Sequence, residues 1–492
     1  MDFLDPDKKR KHAVRLVTGY ILIGIAIGLA SLILLFQSYG YDLDRRTGKV
    51  IQNGLIFVSA QPESATIYLN GQQKGKTNTR LTVPAGQYSV ELQRTGYRSW
   101  KRAFNLDGGS IVSLVYPDLI PTTLKPKVLQ DYTTTPSLIL QSPDRHWIMV
   151  GHPDDLNAFD VFDANDPTKA AVPLTIPSGI LTSDPGTQSL TLAEWSTDNR
   201  HVLLKHSYAG KEEYIMVDRQ TPADSFNVNK QFNVSDVTVS LHDKRYDQLY
   251  LYDTKALSLK QVDVKTKQIT NVESNISAFK SYGSNMLLYA TKDSKDTSEM
   301  DVKLDQSNKT YLIGRFKNDS FLLDMAQYNN HWLMAVDPVS SGRVSIYQDP
   351  VDQINAAPSS LPIPLTLLKI DQATQISFSA NTQFIMAEQG NNFAVYDAES
   401  NRRYYYTVPM SVPTGLQATW MDGDRILLNV GGKVTVFDYD GINQQTLVPA
   451  VEGTIPFFDQ GYLRLYTLAP HNAAVTPQGG LTETNLKLNL KP

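Results

Sequence analysis

His201 and His206 stand five residues apart in a segment that alternates like a strand, and none of the eight histidines forms an HExxH pair. A metal site needs ligands that converge, which two rings four apart on a helix do and this spacing does not. The chain has no cysteine, so thiol catalysis, thiolate metal sites and disulfides are all excluded. Asp438-Tyr439-Asp440-Gly441 resembles the opening of a calcium loop. The next acidic position and the distal glutamate are absent, however, and Gly441, Ile442 and Asn443 stand in their place. Lys74-Gly75-Lys76-Thr77 resembles the end of a phosphate-binding loop, but Gly71 is one residue too close to Gly75, and the residues after Thr77 read as a strand, not a helix. No Gly-x-Ser-x-Gly elbow precedes a helix, and no serine can be paired with a base. Asn401-Arg402-Arg403-Tyr404-Tyr405-Tyr406 mixes cations with rings able to stack on sugars; an outer strand with one wet face explains the same letters. These residues therefore assign no catalytic, cofactor-binding or metal site and leave the ligand-binding residues open. The expectation is a protein that is not an enzyme and carries no cofactor.

Positioning begins with Leu16 to Phe36, twenty-one uncharged and mostly apolar residues preceded by Lys8, Lys9, Arg10, Lys11 and Arg15. At about 1.5 Å rise per residue such a helix crosses a hydrocarbon layer of about 30 Å, and no second stretch matches it. A cleaved signal would have an apolar core of about 7 to 15 residues, shorter than this one. The reading is a cytoplasmic basic stub (1–15), an anchor helix in the lipid bilayer (16–36) and a polar connector (37–53). The cationic side stays in the cytoplasm and the bulk of the chain is extracytoplasmic. Gly24 and Gly28 form a GxxxG pair, a spacing also common in membrane helices that do not associate. With 41% hydrophobic and 20% charged residues, the remainder folds around substantial cores instead of forming a disordered stalk. The formal charge is −4, which gives no electrostatic reason to expect nucleic acid as a partner.

Outside the connector, strand-like alternation runs through Leu55–Val58, Ala65–Leu69, Gln87–Leu92 and Ser110–Tyr116, separated by turns at Asn70-Gly71, Pro84-Ala85-Gly86 and Gly96. The order Pro62-Glu63-Ser64-Ala65, Tyr68, Asn70-Gly71, Gly75-Lys76-Thr77, Ala85-Gly86 and Gly96-Tyr97 resembles the PEGA domain of bacterial and archaeal surface proteins, over residues 54–117. Ser64 replaces the name-giving glycine, and Asn78 stands where proline often comes next. The resemblance implies a small β-sandwich-like extracellular module with no catalytic residues.

From residue 118 to 470 short apolar strands recur with polar turns centred near 144, 198, 246, 285, 331, 381, 423 and 460, which is 37 to 54 residues apart. Leu140-Gln141-Ser142-Pro143-Asp144 followed by Trp147–Val150 and Phe159–Asp163 is repeated at Glu194–Asp218, Phe378–Asp397 and Thr419–Asp438. This is the spacing of propeller blades, four-stranded sheets of about 40 to 50 residues. The repeats resemble bacterial WD40-like or TolB-like propellers. The expected fold class is thus mainly β: a single N-terminal transmembrane helix, the small module, then a β-propeller of seven blades, alternatively eight. The last repeat, or the tail (471–492) with Leu486, Leu488 and Leu490, completes the first blade. A β-sandwich array is the competing architecture, but its motifs would fall about 100 residues apart.

The expected function is that of a membrane-anchored envelope protein that recognises or scaffolds cell-wall polymers or surface proteins. The alternative is a glycan-active hydrolase or lyase with carboxylates in the propeller channel, and a third reading is a structural spacer. Two Asp or Glu converging at roughly 5 to 10 Å in a cleft would favour the enzyme. A channel mouth lined with aromatics and amides would favour binding.

Overall fold

The computed structural model describes residues 6–43, 48, 50–292, 298–471 and 478–488, and the chain divides into two compact units, Met1–Thr122 and Thr123–Pro492. In the first unit a single helix, Pro6–Ser38, contains the expected span, and its apolar side chains from Val14 to Phe36 are exposed rather than packed on protein. It is long and apolar enough to cross a membrane. The helix ends at Ser38, and the turn after it uses Gly40 (φ +79°), where a side chain would strike the Asn53 carbonyl oxygen at 2.9 Å. The segment expected as a plain connector is already paired here, because Tyr41–Leu43 lies antiparallel to the start of Val50–Val58.

Two four-stranded sheets share the core of the small module. One joins Tyr41–Leu43, Val50–Val58, Thr79–Pro84 and Ile111–Leu114, the last running parallel to Val50–Val58; the other is ordered Gln72–Lys76, Thr66–Leu69, Gly86–Gln93, Trp100–Leu106. Alternation puts Ile56, Val58, Ile67, Leu69, Val90 and Leu92 inside, all at most 4% exposed. Asn70 (φ +49°) and Gly71 (φ +78°) make the expected hairpin turn with two consecutive positive φ angles. Ser64 and Asn78, the two departures from the PEGA pattern, both adopt the left-handed region at φ +66° and +68°. Asn78 offsets the strain by accepting a hydrogen bond from Ser59 Oγ at 2.6 Å.

Among the described residues the second unit forms eight antiparallel four-stranded sheets in chain order, spanning 139–175, 188–227, 237–274, 276–317, 321–369, 375–407, 419–449 and 457–485, the last including Pro126–Asp131. First strands touch between the second and third, the fourth and fifth, and the fifth and sixth sheets, which puts them on the inside of the ring. Buried apolar clusters join each early sheet to the next, as with Leu140, Met149 and Phe159 against Trp195, Val202 and Ile215.

The eight sheets number one more than the seven chosen from sequence and equal the alternative. The reason lies in how the ring is shut. The last repeat keeps its own sheet, Phe457–Phe458, Arg464–His471 and Gln478–Asn485, and takes its fourth strand, Pro126–Asp131, from the start of the unit. The tail (471–492) thus supplies Gln478–Asn485, which shuts the ring by pairing with Pro126–Asp131 within the last sheet and not by joining the first. Leu486 is buried just past the last strand, Leu488 is exposed, and Leu490 lies outside the described residues. Ile148, Val150 and Phe162 of the first sheet pack on Tyr466, Leu468 and Leu481 of the last. Tyr466 also donates its hydroxyl to the Ala164 carbonyl at 2.6 Å, and Gln141 Nε2 donates to the Phe458 carbonyl at 2.7 Å.

Candidate functional site

Aspartates of the second, third, sixth, seventh and eighth sheets serve turns. Between the first and second strands, Asp198 accepts the N–H groups of Arg200 and His201, Asp422 those of Asp424 and Arg425, and Asp459 those of Leu463 and Arg464. After the third strand, Asp218 accepts from Gln220 and Thr221, Asp263 from Lys265 and Thr266, and Asp397 from Glu399 and Ser400. Each aspartate replaces backbone partners that a tight turn leaves unmatched. Asp218 is additionally gripped by the Arg200 guanidinium, with Nε at 2.7 Å. Burial alone would raise its carboxyl, but Arg200 and the two backbone donors hold it below the ordinary carboxylate range.

The histidines and loops singled out in the sequence lie apart. His201 places Nδ1 2.6 Å from Asp198 and stacks on Tyr246 at 3.6 Å, whereas His206, fully buried, bridges Glu213 and Gln188 at 2.9 Å each. Both rings are used in separate hydrogen-bond sets on one strand, His201–Tyr208. Asp438-Tyr439-Asp440-Gly441 closes a turn in which Gly441 N–H donates to the Asp438 carbonyl, and a side chain at Gly441 would meet the Tyr406 ring at 2.5 Å. Lys76 and Thr77 belong to the Gln72–Lys76 hairpin and its exit, with Thr77 Oγ1 accepting the Ala65 N–H at 3.0 Å. Arg402–Thr407 is the outermost strand of the sixth sheet: Tyr405 is half exposed, while Tyr406 is turned inward against Phe393.

Polar groups gather instead where the loops entering the seventh and eighth sheets meet the first strand of the sixth. A cavity of about 210 Å³ there is lined by Gln375, Gln417, Thr419, Asn429 and Thr454 together with loop backbone at 415–417 and 453–456. Gln375 begins the first strand of the sixth sheet, Gln375–Phe378, so the cavity lies at the end of that strand away from the turn that follows Phe378. Asn429 donates through Nδ2 to the carbonyls of Val451 (2.8 Å) and Thr454 (2.7 Å). That fixes its amide, leaving Oδ1 buried without a protein donor, and Gln375 Oε1 is in the same state. Gln417 is held by a bond from its Nε2 to the Thr374 carbonyl at 3.1 Å.

Glu388 stands directly across from Gln375 on the next strand, fully buried, and receives the Ala418 N–H on both oxygens at 2.9 and 3.2 Å. Burial pushes its carboxyl up to about 7, partly opposed by that N–H. No Asp or Glu lines the cavity among the described residues. The polar side chains that line it are amides and hydroxyls, which both donate and accept hydrogen bonds, while the Gln375 and Asn429 oxygens are themselves buried. Sequence reasoning passed over these residues, although the signal was present: Asn429 interrupts Ile426-Leu427-Leu428 and Glu388 ends Phe384-Ile385-Met386-Ala387, each a polar residue attached to an apolar run.

No curated protein matches this sequence. Among solved structures, the chain is similar to the Dos1 propeller at 13% identity, over 74% of this chain and 95% of that one, with a TM-score of 0.46. The β-propeller domain of Cps50 (Swd1) from Myceliophteria thermophila is similar at 12% identity over 64% and 97%, with a TM-score of 0.36. A prolyl endopeptidase matches at 12% identity and a TM-score of 0.44 over 65% of this chain, which spans only 50% of that enzyme. Residues 53–117 match the PEGA domain family, and the ring of four-stranded sheets that comes after them is a β-propeller.

Proposed function

We propose that this chain is a single-pass envelope protein, N-terminus in the cytoplasm, whose propeller recognises a cell-wall polymer or surface protein at the channel mouth. The observation that supports binding most directly is the amide-lined cavity at Gln375, Gln417 and Asn429. Hydrolysis of a glycosidic bond requires two carboxyl groups about 5 to 10 Å apart around the scissile bond. Glu388 is one buried carboxyl behind the cavity wall, and the turn aspartates are bound to backbone N–H groups and basic partners elsewhere. The PEGA match and the apolar helix support an extracytoplasmic location for this activity, and the cations from Lys8 to Arg15 favour an N-terminus held inside.

Two experiments test the reading. Protease added to intact cells should remove epitopes placed after residue 53 and spare one at the N-terminus; the reverse pattern overturns the orientation. Full-length protein in detergent micelles should retain one glycan or surface-protein fraction of the envelope, and Gln375→Ala with Gln417→Ala should abolish retention without lowering Tm. Retention that is indifferent to both substitutions, or release of cleaved glycan with time, rejects recognition at this cavity.

A further inference from the structure

The small module carries a second feature, independent of the propeller cavity. Alternation along Thr66–Leu69 buries Ile67 and Leu69 and turns Thr66 and Tyr68 to the opposite surface of the sheet. Thr66 is flanked by Lys76 on one neighbouring strand and Gln93 on the other. Past Gln93 the chain turns through Gly96 (φ +81°), and residues 94–99 line the other side as a wall. That wall is fixed by the protein itself, since Arg98 N–H donates to the Ile120 carbonyl at 2.8 Å and Thr122 N–H to that of Gly96 at 2.9 Å.

Between sheet and wall lies a trough of about 1030 Å³ whose cations are Lys76, Arg94 and Arg98 and which no Asp or Glu lines among the described residues. Glu91, directly across from Tyr68 on the same face of the sheet, is engaged by Lys101 at 3.0 Å and by Gln93, which lines the trough, at 2.7 Å, so its charge is already paired. Charge is also segregated along the chain: residues 54–122 hold seven Lys and Arg against four Asp and Glu, whereas the whole chain is −4. The volume sits at the upper end of small-molecule pockets, about 300 to 1,000 Å³, and an open trough of that size suits a segment of a longer chain.

We propose that this trough binds a linear polymer bearing phosphodiester groups. Arg94 offers a planar fork and Lys76 a point charge to phosphate oxygens, Ser and Thr hydroxyls along the floor and wall add neutral donors, and the Tyr68 ring gives the apolar stretches of such a polymer a surface. Binding in the trough is separate from recognition at the channel mouth and does not depend on it.

The test uses full-length protein in detergent micelles and four probes: inorganic polyphosphate, polygalacturonate, dextran, and vesicles containing phosphatidylglycerol. Polyphosphate should bind with an affinity that falls steeply with salt, and the Lys76→Gln/Arg94→Gln variant should bind it at least about tenfold more weakly with a shallower salt dependence. On the unaltered protein, polyphosphate should slow acetylation of Lys76 and leave that of Lys74, which lies outside the trough, unchanged, a readout that needs no variant to fold. Equal binding of polygalacturonate or dextran, binding to the vesicles alone, an unaffected double variant, or Lys74 and Lys76 protected alike would each overturn the proposal. Loss of channel-mouth retention by Gln375→Ala with Gln417→Ala should leave polyphosphate binding intact.

Discussion

Gln375 and Glu388 face one another across the first two strands of the sixth sheet, a cross-strand pair in which the carboxyl is completely buried and the amide oxygen has no protein donor. The pair sets the electrostatics of the channel mouth, because an ionised Glu388 would add a full negative charge beside an oxygen that already lacks a partner.

Glu388 makes stability fall as pH rises. Its folded-state pKa of about 7 lies above the ordinary 4.5, so between those values the folded chain holds a proton that the unfolded chain has released. The contribution is complete below about pH 4.5 and is lost through about pH 7. Glu388→Gln should flatten this part of the profile and leave the variant more stable at pH 8 by on the order of 2 kcal/mol, read by thermal melts from pH 4.5 to 8. Asp337 has the same sign, since it is fully buried without a hydrogen-bond partner on either oxygen and burial, with Asp319 nearby, pushes it up to about 7. A single Glu388→Gln change should therefore remove only part of the slope, and adding Asp337→Asn should remove more.

Tyr466→Phe should weaken ring closure specifically. The hydroxyl removed is fully buried and donates to the Ala164 carbonyl, leaving that acceptor without its donor, a loss of about 1 to 2 kcal/mol in chemical denaturation. Hydrogen exchange should rise first in Pro126–Asp131 and Gln478–Asn485, the strands that shut the ring.

Asp218→Ala should destabilise the second sheet by about 2 to 4 kcal/mol, because it strands the Arg200 guanidinium and the N–H groups of Gln220 and Thr221. Retention of the envelope fraction by the folded protein should not change. A loss of binding with no loss of Tm would mean that the turn aspartates do more than cap turns.

Gly54→Ala should cost the small module about 1 to 3 kcal/mol. A methyl there would lie 2.7 Å from Leu106 Cγ, and Leu106 is itself buried at 1% exposure and has nowhere to move. Limited proteolysis within residues 54–117 should report the loss while propeller fragments stay resistant.

Local chemistry was legible in the sequence wherever it acted over a few residues. Asn70-Gly71 announced its hairpin because two positive φ angles admit few other residues, and the Ser142-Pro143-Asp144 type of turn marked the sheets because side chain and backbone close it within five positions. Pro126–Asp131 was not legible, since its partners, Gly480–Thr484, lie some 350 residues away and nothing local specifies that pairing. The channel mouth escaped for a similar reason: Gln375, Gln417 and Asn429 come from three stretches of chain and share no motif. Glu388 and Asp337 carry the same letters as the capping aspartates and other surface acids and differ only in their surroundings.

The strand that shuts the ring is also the first one the chain forms after the membrane-side module. Its five register pairs with Gln478–Asn485 join the two ends of the second unit, so the loss of either terminal strand leaves the last sheet incomplete.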